Sequence, residues 1–254
     1  GYINPRSLVR AQLQIAAGQG ATIIRDVVVR VEQSTQAVTV TTQTGEKFTA
    51  ARLLIANGAY TNSFGLLPHP LALRIKSETT LHARVPPDEA ERLGAMPTVV
   101  YEIESPTLDG IYLAPPIRYP DGNDYIKLGC DTIADKILPD LAAMNAWMQQ
   151  GDSDVVADDI RDALLAIMPG LQARSFASKR CLVTYTPHRK PYIDQLDERL
   201  FIATGGNGSS AKCSDTLGYL AAGLLLDQPW PDDFDRHEFR VLYATDHKMF
   251  EQQA

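Results

Sequence analysis

The chain is poor in cysteine, lacks any long apolar run and contains no block of basic charge, and each shortage removes a class of explanation. Its three cysteines, Cys130, Cys181 and Cys213, are too few and too scattered for a disulfide framework or a zinc site, which points to a reducing, cytoplasmic compartment. No apolar stretch approaches the roughly 18 to 20 residues of a membrane-spanning helix. The opening Gly1-Tyr2-Ile3-Asn4-Pro5-Arg6 has neither the charged start nor the apolar core of a signal peptide. Lys and Arg number 24 against 31 Asp and Glu, a formal charge of −7, so no nucleic-acid partner is expected. His69, His82, His188, His237 and His247 show no ligand spacing, and no metal is assigned. What remains is an ordinary globular composition, 44% hydrophobic and 22% charged over 254 residues, enough for one large or two ordinary domains.

The most informative stretch is Thr204-Gly205-Gly206-Asn207-Gly208-Ser209-Ser210-Ala211-Lys212-Cys213. An apolar strand, Arg199 to Ala203, precedes it, and Ser214-Asp215 open an apolar helix from Thr216 to Leu226. A strand, a glycine loop and a helix start form a place where backbone N–H groups and the helix dipole face negative charge. Lys212 just before the helix is unfavourable for the dipole and so suits a ligand, although a plain strand-to-helix connection is the simpler reading.

Around this loop the chain alternates element types. Asn4-Pro5-Arg6-Ser7 starts a helix with Leu8, Leu13, Ile15 and Ala16 as its apolar positions, stopped by Gly18 and Gly20. Thr22 to Glu32, Ala37 to Thr42 and Lys47 to Ala50 read as strands. Arg52 to Tyr60 is a continuous apolar strand running into glycine, the pattern of a buried parallel sheet. Leu66-Leu67-Pro68-His69-Pro70 reads as a linker. Beyond it come strand-like segments, Leu73 to Arg84, Thr98 to Glu102, Gly110 to Leu113 and Asp124 to Gly129, then helical patterns over Leu138 to Gln149 and Val155 to Ile167. Cys181 to Thr184 and Tyr192 to Asp194 lead back to the glycine loop. Mostly antiparallel strands with a few helices suggest a second domain inserted into the first. The segment beyond Pro229 is polar and carries little information.

Four stretches together resemble the FAD-dependent D-amino-acid oxidase superfamily, most closely its monomeric sarcosine oxidase and N-methyltryptophan oxidase branch. They are Gly1 to Ala11, Leu53 to Thr61, Cys181 to Pro187 with Ile193-Asp194, and Thr204 to Lys212. The resemblance implies an α/β fold with an inserted α+β region: an incomplete FAD-binding Rossmann-like domain of the glutathione-reductase type with a mostly antiparallel-sheet substrate domain. Residues 1–66 would form part of the FAD-binding domain, 67–180 the substrate domain, and 181–254 the return to the FAD-binding domain. The family's opening Gly-x-Gly-x-x-Gly, which holds the FAD pyrophosphate, has no counterpart here. An N-terminal flavin-binding segment or chain is therefore expected as a partner.

The same resemblance assigns roles. Cys181, after Lys179-Arg180, stands at the family's covalent attachment point, where nearby cations favour a thiolate; the alternative is a structural cysteine. Lys127 stands where a lysine near flavin N5 stabilises negative charge on oxygen. Its place between Ile126 and Leu128 on a strand equally suits an exposed lysine. Lys212 corresponds to the lysine that binds the substrate carboxylate. Asp131 replaces a histidine near the substrate amine, which would favour a cationic or hydroxylated group, or else it is a turn residue before Thr132. Tyr112 and Tyr125 are candidate cavity residues. Val28 would lie at the adenine end, Ala56 and Gly58 at the pyrophosphate, and Gly205, Gly206, Asn207 and Gly208 under the flavin ring.

The expectation is thus an FAD-dependent oxidase of amino acids or secondary amines that transfers hydride to flavin and reduces oxygen to hydrogen peroxide. Rival readings are a dehydrogenase with a quinone or protein acceptor, and a non-catalytic subunit or remnant.

Overall fold

A computed structural model describes residues 3–150 and 153–245. Pro5 sits in the first turn of a helix, where its fixed φ and missing N–H are harmless. That helix, α1 (Pro5–Gly18), ends at Gly18-Gln19-Gly20. The chain continues through β1 (Val28–Gln33), β2 (Val38–Thr42), β3 (Lys47–Ala50), β4 (Leu53–Ile55) and the long β5 (Arg74–Val85). Then come α2 (Pro87–Arg92), β6 (Val99–Tyr101), β7 (Leu108–Arg118), β8 (Asp124–Thr132), α3 (Leu141–Gln150) and α4 (Ala157–Ile167). Finally β9 (Ser175–Tyr185), β10 (Tyr192–Asp197), β11 (Leu200–Thr204) and α5 (Ser214–Leu225) follow. No described helix is long and apolar enough to cross a membrane.

The chain forms two units, the first made chiefly of Lys76–Leu182 and the second of Pro5–Ile75 with Val183–Ala254. In the first, alternation along β5, β7 and β8, interrupted in β7 by register shifts between Asp109 and Tyr112 and between Ala114 and Ile117, gives one apolar and one polar face. Leu81, Ala83, Ile111, Leu113, Ile126 and Leu128 are all buried on the apolar face. The helix α4 covers them with Ile160, Ala163, Leu164 and Ile167, at the i, i+3, i+4, i+7 spacing of an amphipathic helix. The strand order is β6-β7-β8-β5-β9.

The second unit holds two three-stranded sheets, β1-β2-β3 and β10-β11-β4. Ile55, Leu200 and Ile202 form a core with Leu71 and Tyr192. In the second of these sheets β4 and β11 run parallel, Leu53 opposite Leu200 and Ile55 opposite Ile202, so both strands end at the same edge.

Several expectations change. The strand expected over Thr22 to Glu32 begins only at Val28, because residues 21–27 have no ladder despite their β-branched content. The strand expected over Arg52 to Tyr60 stops at Ile55; Asn57 and Gly58 turn the chain into a short 3-10 segment, Gly58–Tyr60. Leu66 is buried in the second unit's core and Leu67 packs against it, so the stretch expected as a linker is anchored at its start, while Pro68, His69 and Pro70 are exposed. Nor is the segment after Pro229 empty of structure: Trp230, Phe234 and Phe239 pack against Leu220 and Ala221. Residues 246–254 lie outside the described residues, His247 among them.

Candidate functional site

In the second unit, two loops meet at the carboxyl ends of the parallel pair, the place where ligands gather in α/β sheets. The loop after β4 carries Ala56, which is exposed, and Gly58. The loop after β11 carries Gly205, Gly206, Asn207 and Gly208. Thr204 and Thr61 join the loops: their hydroxyls lie 2.9 Å apart, and both reach the Gly58 carbonyl, at 3.1 and 2.8 Å. Asn207 pins the glycine loop to the end of β9 and the residue after it, its backbone N–H donating to the Thr184 carbonyl at 2.9 Å and its side-chain Oδ1 accepting from the Thr186 backbone N–H at 2.9 Å. Gly58 has φ +56°, and a Cβ there would meet no atom within 4 Å, so this backbone is open to close approach. Val28 is half-buried against the core beneath β4 and β11. Lys212 is exposed in the 3-10 turn Ser210–Cys213 that leads into α5.

In the first unit, register fixes what shares the polar face of the five-stranded sheet. Tyr112 on β7 pairs with Gly129 on β8, which pairs with Thr80 on β5; Lys127 is flanked by Ala114 and His82. Cross-strand pairs point the same way. The Tyr112 ring lies on Gly129, where a Cβ would come 2.2 Å from Tyr112 Cζ, so the ring keeps this position only over glycine. Tyr112 thus reaches across β8, its hydroxyl donating to Glu78 Oε1 on β5 at 3.4 Å. The Lys127 ammonium stands 5.2 Å from the centre of the same ring, within cation–π range. Burial, then the adjoining Glu78 carboxylate, pushes the Tyr112 phenol above its ordinary range and keeps it a donor. Burial likewise raises the Glu78 carboxyl, with the charges of Lys76 and Lys127 pulling the other way.

Asp131 lies at the end of β8 and is tied to the Lys76 ammonium, which also donates to Asp135 Oδ2 at 3.0 Å. Burial would lower the Lys76 ammonium, but the two carboxylate hydrogen bonds outweigh it and raise it. Asp131 also lines a cleft of about 290 Å³ with Ser105, Thr107 and Asp109. Cys181, half-buried on β9, accepts a hydrogen bond at its carbonyl from Trp147 Nε1 at 2.9 Å.

The structure therefore gathers Lys127, Tyr112 and Asp131 on one sheet, and Ala56, Gly58 and Gly205 to Gly208 at one strand edge. Tyr125 shares the polar face, but its hydroxyl is turned to Asp121 at 2.7 Å. Sequence reading missed Glu78 and Thr80; the strand alternation placed them on the polar face without marking either as different from a solvent-facing residue. Among the described residues, no group of three or more His, Cys, Asp or Glu side chains is placed to hold a metal.

The sequence pattern of the family of FAD dependent oxidoreductases (DAO) matches residues 1–224, and the chain belongs to this family, whose cofactor is FAD. Among solved structures it is similar to iminodiacetate oxidase from Chelativorans sp. BNC1, at 17% identity and a TM-score of 0.66, over 93% of this chain and 58% of that one. It also resembles glycine oxidase from Geobacillus kaustophilus (20%, TM-score 0.63, 92% and 56%). A third is the fructosyl amine:oxygen oxidoreductase, amadoriase I, from Aspergillus fumigatus (22%, TM-score 0.64, 88% and 50%). The chain thus spans between half and three fifths of the length of these structures. No curated protein matches the sequence.

Proposed function

We propose that this chain forms the substrate-handling part of an FAD-dependent oxidase of amino acids or secondary amines, of the sarcosine oxidase-like branch. One observation supports this reading above the others: a half-buried lysine, Lys127, stands on the polar sheet face with Tyr112 and Glu78 rather than among solvent-exposed charges. The open backbone at Gly58, beside the glycine loop at the ends of β4 and β11, fits a large anionic cofactor. FAD when bound supplies the two-electron oxidation of the C–N bond and passes those electrons to oxygen.

The chain's residues take the remaining roles. Gly58 and Ala56 would hold the pyrophosphate, Val28 the adenine end, and Gly205, Gly206, Asn207 and Gly208 the ring. Lys127 stabilises negative charge as oxygen is reduced, and Lys212 receives the substrate carboxylate. Cys181 is the attachment point if the flavin is covalent. A flavin-binding segment or chain packs on α1, which has no buried residue and exposes Val9, Leu13 and Ile15 by 52%, 44% and 60%. None of the three cysteines is in a disulfide, which supports a cytoplasmic setting.

The test is to load the protein with FAD, with and without an added N-terminal flavin-binding chain, and expose it to amines without oxygen. Bleaching of the visible flavin band, followed by hydrogen peroxide on admitting air, is the expected result. Bleaching without peroxide indicates a quinone or protein acceptor. No bleaching by any amine or amino acid defeats the oxidase reading and leaves a non-catalytic subunit. Denaturation then settles Cys181: flavin that stays with the chain, with intact mass raised by one FAD, establishes the covalent bond.

A further inference from the structure

Two acceptors stand on the polar sheet face beside Lys127. Glu78 is a half-buried carboxylate whose one described hydrogen bond is the 3.4 Å contact from Tyr112. Thr80, two residues on along the same face of β5, is fully buried, and its Oγ1 has no hydrogen-bond partner. A buried hydroxyl without a partner is uncommon and costs desolvation energy unless something fills the role. Asp131, the carboxylate expected to meet a cationic group, is occupied by Lys76, and Asp135 closes the same ion pair from the other side. Glu78, Asp131 and Asp135 together carry one more negative charge than Lys76 and Lys127 offset. Tyr112 seats directly on Gly129, where any side chain would displace the ring.

We infer that the corner formed by Glu78, Thr80 and Tyr112 binds the cationic nitrogen of the substrate, and that Glu78, not Asp131, selects for an ammonium. The inference rests on the oxidase reading for its substrate, while its geometry is independent of flavin. An ammonium offers the positive charge the corner lacks and N–H donors for both open acceptors; Tyr112 keeps Glu78 facing it.

The test uses the full chain, FAD-loaded and flavin-free, with piperidine, a cation at neutral pH, and tetrahydropyran, its uncharged ring isostere, measured by calorimetry without oxygen. Piperidine should bind about ten-fold tighter than tetrahydropyran, the size of one charged hydrogen bond. Glu78→Gln should erase that preference, Glu78→Asp should retain it, and Thr80→Val should weaken piperidine alone by a few-fold. Thr80→Val keeps the charge pattern and so reads the site even if Glu78→Gln fails to fold. No preference in the unaltered protein, an unchanged preference in Glu78→Gln, or equal loss of both probes overturns the inference. Amine bleaching of the flavin in the same preparations separates the two claims. Bleaching unaffected by Glu78→Gln sinks this one alone, whereas probe selectivity without bleaching sinks only the oxidase reading.

Discussion

Along β8 the residues Ile126, Leu128 and Cys130 are buried in a core closed by α4, whereas the intervening Lys127, Gly129 and Asp131 belong to a face of charges and an aromatic ring. The same strands make both. On the apolar side shape and volume decide the energetics, and every position is filled by a side chain of its neighbours. On the polar side the strands leave a half-buried carboxylate, a buried hydroxyl without a partner and a half-buried ammonium, which stability alone does not call for. A change on one face should therefore register in stability and a change on the other in binding and rate.

The largest expected effect is on the apolar side. Ile126→Ala removes a fully buried side chain and should destabilise the protein by about 2–5 kcal/mol in denaturant unfolding. Selectivity between piperidine and tetrahydropyran should stay unchanged. If selectivity collapses with stability, the two faces are not separable.

A second effect is set by Cys130, whose thiol burial pushes up to about 12. Being raised in the folded state, it contributes stability that is complete below its unfolded value near 9 and is lost as pH rises toward about 12. Cys130→Ser should flatten the fall in stability over that window. At pH 8 a thiol reagent should modify exposed Cys213 in the native protein and Cys130 only on unfolding. Rapid native labelling of Cys130 would show the apolar face to be open.

The smallest effect on stability belongs to Gly129→Ala. The added methyl meets the far end of the Tyr112 side chain, which is 37% exposed and free to swing outward. Stability should change by less than about 1 kcal/mol, while the Tyr112 to Glu78 hydrogen bond is lost and the preference for piperidine falls. A loss of stability matching that of Ile126→Ala would mean that the ring is clamped.

The faces themselves were legible in sequence, because alternation of Ile126 and Leu128 with Lys127 fixes which side each takes. Helix α2 carries a start signal in Pro87 followed by Asp88 and Glu89, but six residues are too few for a helical apolar period to show. The partners were not legible. Nothing local says that Asp131 is taken by Lys76, 55 positions away, or that Tyr112 reaches Glu78, 34 positions away. The glycine loop after β11 was visible from its composition. Its companion at Gly58 reads from its own residues as a strand end, and only the family resemblance gives it a place at the pyrophosphate, because the parallel pairing that brings the two loops together is a long-range contact.

The most direct test compares two adjacent residues on opposite faces, Lys127→Met and Leu128→Ala, in FAD-loaded protein. Stopped-flow rates for reduction by amine and for reoxidation by oxygen would be measured separately beside thermal unfolding. Lys127→Met should slow reoxidation by about 100-fold, leaving reduction and melting nearly unchanged, and Leu128→Ala should lower the melting temperature by several degrees with both rates preserved. Equal slowing of both half-reactions by Lys127→Met, together with a melting loss like that of Leu128→Ala, would contradict the division of the sheet into a structural face and a reactive one.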